Sequence, residues 1–118
     1  MKNIEEVISY LKTNTSKSVQ LKHKNIDSER IHFEISLEYN PKEEDEPFYV
    51  QTNVFGNACN KGQKEAIDLS NKLNLIFDSF CGWYDSGSED IFGYDLNFEN
   101  LLKFFSFINF EDYEISVS

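Results

Sequence analysis

Basic residues are scarce in this chain. Eleven Lys and Arg stand against 21 Asp and Glu, a net charge of −10 over 118 residues. Neutralising nucleic-acid phosphates takes an excess of Lys and Arg, so direct DNA or RNA binding is disfavoured, and the same sign repels an anionic membrane. Cysteine is nearly absent too: Cys59 and Cys81 are the only two, with no C-x-x-C, and the two histidines, His23 and His32, are not at a ligand spacing. No structural metal and no cofactor are expected. Long apolar runs are missing: no stretch approaches the roughly 20 residues that cross a bilayer. Glu5 and Glu6 fall where a signal peptide needs an unbroken apolar segment. The expectation is a cytoplasmic protein with reduced thiols, in which a Cys59–Cys81 bond would require the fold to bring the two together. No catalytic motif is found, and the expectation is that the protein is not an enzyme.

What is abundant is apolar and aromatic. Hydrophobic residues make up 40% and aromatics 15%, with Phe alone contributing 11. A disordered chain would be poor in both. The length suits a single domain spanning residues 1–118, in which roughly two-thirds of the unfolded surface is buried.

The spacing of those residues suggests the elements. Ile4, Val7, Ile8 and Leu11 form one stripe of a helix of about three turns. Val19, Leu21 and His23 alternate with polar residues as a short strand. Ile31, Phe33, Ile35, Leu37 and Tyr39 alternate with His32, Glu34, Ser36 and Glu38, the clearest half-buried strand in the chain. The two strands are expected to pair as a hairpin, with Lys22 and Lys24 beside Glu34 and Glu38. A loop bounded by Pro41 and Pro47 leads to a third strand, Phe48 to Phe55. A helical pattern runs from about Lys61 to Phe80, with Ala66, Leu69, Leu73, Ile76, Phe77 and Phe80 on one face. Asp68 and Lys72 stand on it as an i, i+4 pair.

From Trp83 to Asp95 neither period holds. This reads as a long irregular connection, with Ile91 to Tyr94 as a short strand. Asp95 or Asn97 can then cap a helix over about Phe98 to Asn109. That helix is apolar around most of its girth, with Phe98, Leu101, Phe105 and Phe107 expected in the core or in a homodimer seam. Tyr113, Ile115 and Val117 alternate as a last strand. The order α-β-β-β-α-(β)-α-β argues an α+β fold: a mostly antiparallel sheet of four to five strands with helices on one face.

Charge is unevenly spread along this order. Residues 1–30 hold six basic and four acidic residues, whereas the remainder holds five basic and 17 acidic. Two segments concentrate the acids. Glu43, Glu44, Asp45 and Glu46 form a run that is either a docking patch for a basic partner or a solvated loop protecting a sheet edge. The second segment combines Trp83, Tyr84 and Tyr94 with Asp85, Glu89, Asp90 and Asp95. Aromatic anchors carry much of the binding energy at interfaces, and surrounding acids select and steer a basic partner. The alternative is that the aromatics fold into the core and the acids are merely solvated. The segment is not a calcium loop. Counting from Asp85, the third and sixth positions are Gly87 and Asp90, where an EF-hand needs an oxygen ligand and a glycine. Its carboxylate pairs have the residue types for hydrolysis, but a chain of this size leaves little room for a substrate cleft.

In size, acidity and the stretch Trp83-Tyr84-Asp85 to Glu89-Asp90 and Tyr94-Asp95, the chain resembles bacterial immunity proteins, such as those of contact-dependent growth inhibition and colicin systems. The resemblance implies a protein that binds and neutralises a cognate basic toxin, in some cases a nuclease. Acids would stand in for substrate phosphates against toxin Lys and Arg. Two other readings remain. One is a phosphate-mimicking inhibitor of a nucleic-acid enzyme, which needs acids spread along a surface at about one charge per 1.7 Å of duplex axis. The other is a general protein-interaction adaptor.

Overall fold

The computed structural model describes residues 1–24, 32–55, 61–83 and 89–118. At positions 32, 55, 61–63, 80–83 and 89–90 it describes the backbone alone. Tyr84 and Asp85 of the acidic-aromatic segment, and Cys59, lie outside the described residues.

The fold is α+β. Helix α1 spans Ile4–Thr13, strands β1 Ser18–His23, β2 His32–Tyr39 and β3 Phe48–Phe55 follow, and helix α2 spans Lys61–Ile76. Strands β4 Phe80–Trp83 and β5 Glu89–Leu96 precede helix α3, Phe98–Phe105. A single 3-10 turn at Phe110–Asp112 leads into β6, Tyr113–Val117. The six strands form one sheet in the order β4-β5-β3-β2-β1-β6, with every adjacent pair antiparallel.

The local elements follow from the sequence. Asn3 caps α1 by accepting the Glu6 N–H at 2.9 Å, and Glu5 and Glu6 complement the positive end of the helix. Its stripe Ile4, Val7, Ile8 and Leu11 is buried as the spacing predicts. Asn97, rather than Asp95, caps α3, accepting the Asn100 N–H at 2.8 Å.

Alternation sorts the sheet into two faces. Val19 and Leu21 of β1, Phe33, Ile35 and Leu37 of β2, Phe48, Val50 and Val54 of β3, and Tyr94 and Leu96 of β5 are all buried. They form one cluster with Val7 and Leu11 of α1, Ala66 and Leu73 of α2, and Leu101, Phe104 and Phe105 of α3. Each such side chain fully removed from water contributes about 1.5–3 kcal/mol. The opposite face carries Gln20, Glu34, Ser36, Glu38, Tyr49, Gln51 and Asp95, none of them buried.

Several expectations are corrected. Among the described residues the sheet has six strands: Phe80, where the helical pattern is expected to end, opens β4, which runs to Trp83, and the short strand expected at Ile91 to Tyr94 extends over Glu89–Leu96 as β5, paired with β4. Alternation in β5 is masked because Ile91 and Gly93, on the side away from the core, are themselves not polar. Helix α2 stops at Ile76 instead of reaching Phe80, whose backbone pairs with Gly93 in the β4–β5 ladder. Asn74 in the last turn, and Asp78 and Ser79 just beyond it, are weak helix formers where the helix gives way. The apolar face of α2 therefore ends on Phe77, and Leu75 and Ile76 face solvent. Helix α3 ends at Phe105, where Ser106 Oγ donates to the Lys103 carbonyl at 2.5 Å, and Phe98 at its start is 49% exposed rather than core. Lys22 lies opposite Glu34 as expected, but Glu38 lies opposite Ser18, and Lys24 falls beyond the strand. The Lys72 ammonium sits 4.8 Å over the Phe107 ring.

Candidate functional site

The antiparallel register divides the acidic-aromatic segment between opposite ends of the sheet. Strand β5 enters at Glu89, opposite Phe55, and leaves at Leu96, opposite Phe48. Asp95 is six positions after Glu89, so at about 3.3 Å per residue they stand roughly 20 Å apart. Trp83 pairs with Asp90 at the first end. Asp95 lies at the other end, beside the 40–47 loop that joins β2 to β3. One continuous sequence segment therefore does not make one continuous patch.

Tyr94 is a correction. It sits on the inward side between Phe92 and Leu96, opposite Val50, and is fully buried. Its ring stands edge-on to Phe104 with centroids 5.0 Å apart, and its hydroxyl donates to Asn74 Oδ1. Burial pushes its phenol up to about 12. This is a core tyrosine with its polar tip satisfied, not an exposed anchor.

The same register assembles a different site. At the Asp95 end a groove of about 860 Å³ opens between the 40–47 loop and the turn after α1, with Thr15, Ser16 and Lys17 on one wall. The loop supplies Glu43, Glu44, Asp45 and Glu46. The sheet supplies Glu38, Tyr49 and Asp95, and Tyr39 lies at its edge. All six carboxylates are exposed, and against them the lining carries two lysines, Lys17 and Lys42.

The loop is built to hold this shape. The Asn40 N–H donates to the Pro47 carbonyl at 2.8 Å, closing the hairpin. Asn40 Oδ1 accepts the Lys42 N–H at 3.1 Å, and the Asn40 carbonyl accepts the Glu43 N–H at 3.2 Å. An Asx turn of this kind fixes the direction in which the acid run leaves the sheet.

On the floor, Glu38, Tyr49 and Asp95 are direct cross-strand neighbours: Glu38 opposes Tyr49 on one side and Asp95 opposes it on the other. Such neighbours have Cβ atoms about 4.5–5.5 Å apart. The effect shows in the phenol. Partial burial raises the Tyr49 pKa above its ordinary value, and the Asp95 and then the Glu38 carboxylates raise it further by opposing a phenolate. The Tyr49 hydroxyl donates to Gln51 Oε1 at 3.3 Å. Chemically the groove offers a focused negative potential over two half-buried aromatic faces.

Of the residues singled out from the sequence, Glu43, Glu44, Asp45, Glu46 and Asp95 come together here. Glu89, Asp90 and Trp83 lie in strands at the far end. Sequence reasoning missed Glu38, Tyr39 and Tyr49. The signal was present: alternation put Glu38 on the wet face, and pairing across the Pro-bounded loop puts Tyr49 opposite it.

His23 is half-buried, edge-on to Tyr113 at 5.0 Å, consistent with a histidine near the core. Among the described residues no cluster of three or more His, Cys, Asp or Glu could hold a metal ion. Among them, too, no helix is long and apolar enough to cross a membrane. Comparison with protein-family models, curated proteins and solved structures finds no match.

Proposed function

We propose that this protein is an immunity-type inhibitor that captures a basic protein toxin in the acidic groove between the 40–47 loop and the turn after α1. The reading takes it to act in the cytoplasm, without touching nucleic acid itself. One observation carries it: two acidic regions far apart in sequence, Glu43–Glu46 and Asp95, converge with Glu38 around Tyr49 and Tyr39 in a single concavity. Aromatic faces anchor while the carboxylates steer a cationic surface into place, and such steering raises association rates by about 10- to 1000-fold.

The placement of the acids also weighs against phosphate mimicry. A duplex mimic needs charge laid out along a surface, whereas six carboxylates here sit around one opening at one end of the sheet.

The test is co-expression with the C-terminal region of the protein encoded immediately upstream of this gene, counting surviving cells. Toxicity alone with rescue by this chain supports the reading. The variant combining Glu43→Gln, Glu44→Gln, Asp45→Asn and Glu46→Gln should bind that toxin with a slower on-rate and a weaker salt dependence. Lack of toxicity, or capture unaffected by the neutralised loop, would refute the proposal.

A further inference from the structure

The groove does not end at its acids. Tyr39 lines it at the end of β2, and the Lys12 ammonium lies 5.9 Å from the Tyr39 ring centre. The same ammonium lies 5.8 Å from the centre of the Phe98 ring. One cation thus spans both rings and joins them into one surface. Phe98 is 49% exposed and is the first residue of α3, three positions after Asp95. Nothing local asks for an aromatic there, because the helix start is already satisfied by Asn97. Behind it the surface is firm: Tyr39 packs on buried Phe48 with centroids 5.1 Å apart, and Phe48 pairs with Leu96. An exposed ring fixed beside a charged groove is the arrangement of an interface anchor, with little side-chain freedom left to lose on binding.

We infer that Phe98 and Tyr39, clamped by Lys12, form an apolar anchor beside the acidic groove, and that the surface fits a protein segment presenting a hydrophobic side chain next to Lys or Arg. The occupant is a basic protein because the groove wall that Tyr39 shares holds six carboxylates against two lysines. The inference rests on the groove being the partner site. It adds that charge brings the partner in and Phe98 holds it. Leu75, 89% exposed on α2, is an exposed apolar side chain outside the groove lining and serves as the comparison.

Two synthetic peptides of equal length and charge test this by amide chemical-shift titration of the intact protein. One alternates Arg with Leu, the other Arg with Ser. Both are expected to shift the Tyr49 and Asp95 amides, with the Arg-Leu peptide about tenfold tighter. The Arg-Leu peptide alone should also move Phe98 and Lys12. Phe98→Ala should erase the preference for Leu while leaving Arg-Ser binding unchanged, and Leu75→Ser should preserve it. Equal affinities on the wild-type protein, or a preference that survives Phe98→Ala, would overturn the anchor while leaving the groove intact. Shifts at Phe98 in the wild type decide the matter even should the variant not fold. If neither peptide shifts the groove at low salt, the groove reading fails and the anchor falls with it.

Discussion

Replacing Tyr94 with Phe separates a core tyrosine from a surface one, and the effect should change sign with pH. At neutral pH the variant keeps the edge-on contact with Phe104 and loses the hydroxyl bond to Asn74 Oδ1. A net hydrogen bond is worth about 1 kcal/mol, so the variant should be less stable by that amount. Above pH 10 the balance turns. The phenol ionises near 10 in the unfolded chain, whereas burial holds it up to about 12 in the folded protein. The native state therefore binds the proton more tightly, and wild-type stability falls as pH rises between those values, by about 1.4 kcal/mol per unit. The phenylalanine variant carries no such group and escapes that loss. The two proteins should be equally stable near about pH 11, with the variant the more stable beyond it. Tyr113 is also buried, with its phenol raised by burial and by Asp112, but it is present in both proteins and cancels from the difference. Urea unfolding followed by circular dichroism at intervals from about pH 8 to about 11.5 measures that difference directly. A constant difference across this range would show that Tyr94 ionises alike in both states, and the account of its burial would be refuted.

Three other perturbations probe the scaffold and the site. Leu101→Ala empties a fully buried position on α3 and should cost about 2–5 kcal/mol in a denaturant titration; a loss under 1 would mean α3 is not docked as described. Asn97→Ala removes the acceptor for the Asn100 N–H and should cost about 1 kcal/mol, with Asn97→Asp nearly neutral in the same assay. Asp95→Asn should lower the Tyr49 pKa in an ultraviolet titration, because one of the two carboxylates opposing the phenolate is gone. An unchanged value would mean that Asp95 does not face Tyr49 across the strands.

The places where sequence and structure part company share a cause. Alternation is readable only while the outward side is polar. It is clear in β2, where Glu34, Ser36 and Glu38 stand between Phe33, Ile35 and Leu37. It is hidden in β5, where Ile91 and Gly93 occupy the outward positions. Tyr94 consequently reads as an aromatic anchor of the partner surface when it is a core residue. Helix α2 fails differently. Phe80 continues the spacing of Leu73 and Phe77, but its backbone finds partners in β5, and a ladder formed at long range overrides a local period. Phe98 likewise matches the apolar stripe of α3, yet as the first residue of the helix it lies beyond the edge of what the sheet covers.

The amino-acid sequence by itself determined the class of fold, the buried stripe of α1 and the β1-β2-β3 meander, and narrowed the cap of α3 to Asp95 or Asn97, because hydrophobic period and capping chemistry act over a few residues. It also determined that the protein is strongly acidic and that Glu43–Glu46 form a charged loop. The tertiary structure decided which acids meet. Antiparallel pairing carries Glu89 and Asp95, six residues apart, to opposite ends of the sheet. It brings Asp95 and Glu38, 57 positions apart in sequence, to either side of Tyr49. Proximity in a strand is measured across the ladder, about 5 Å per step, rather than along the chain, and that is why the site belongs to the sheet and not to any one segment.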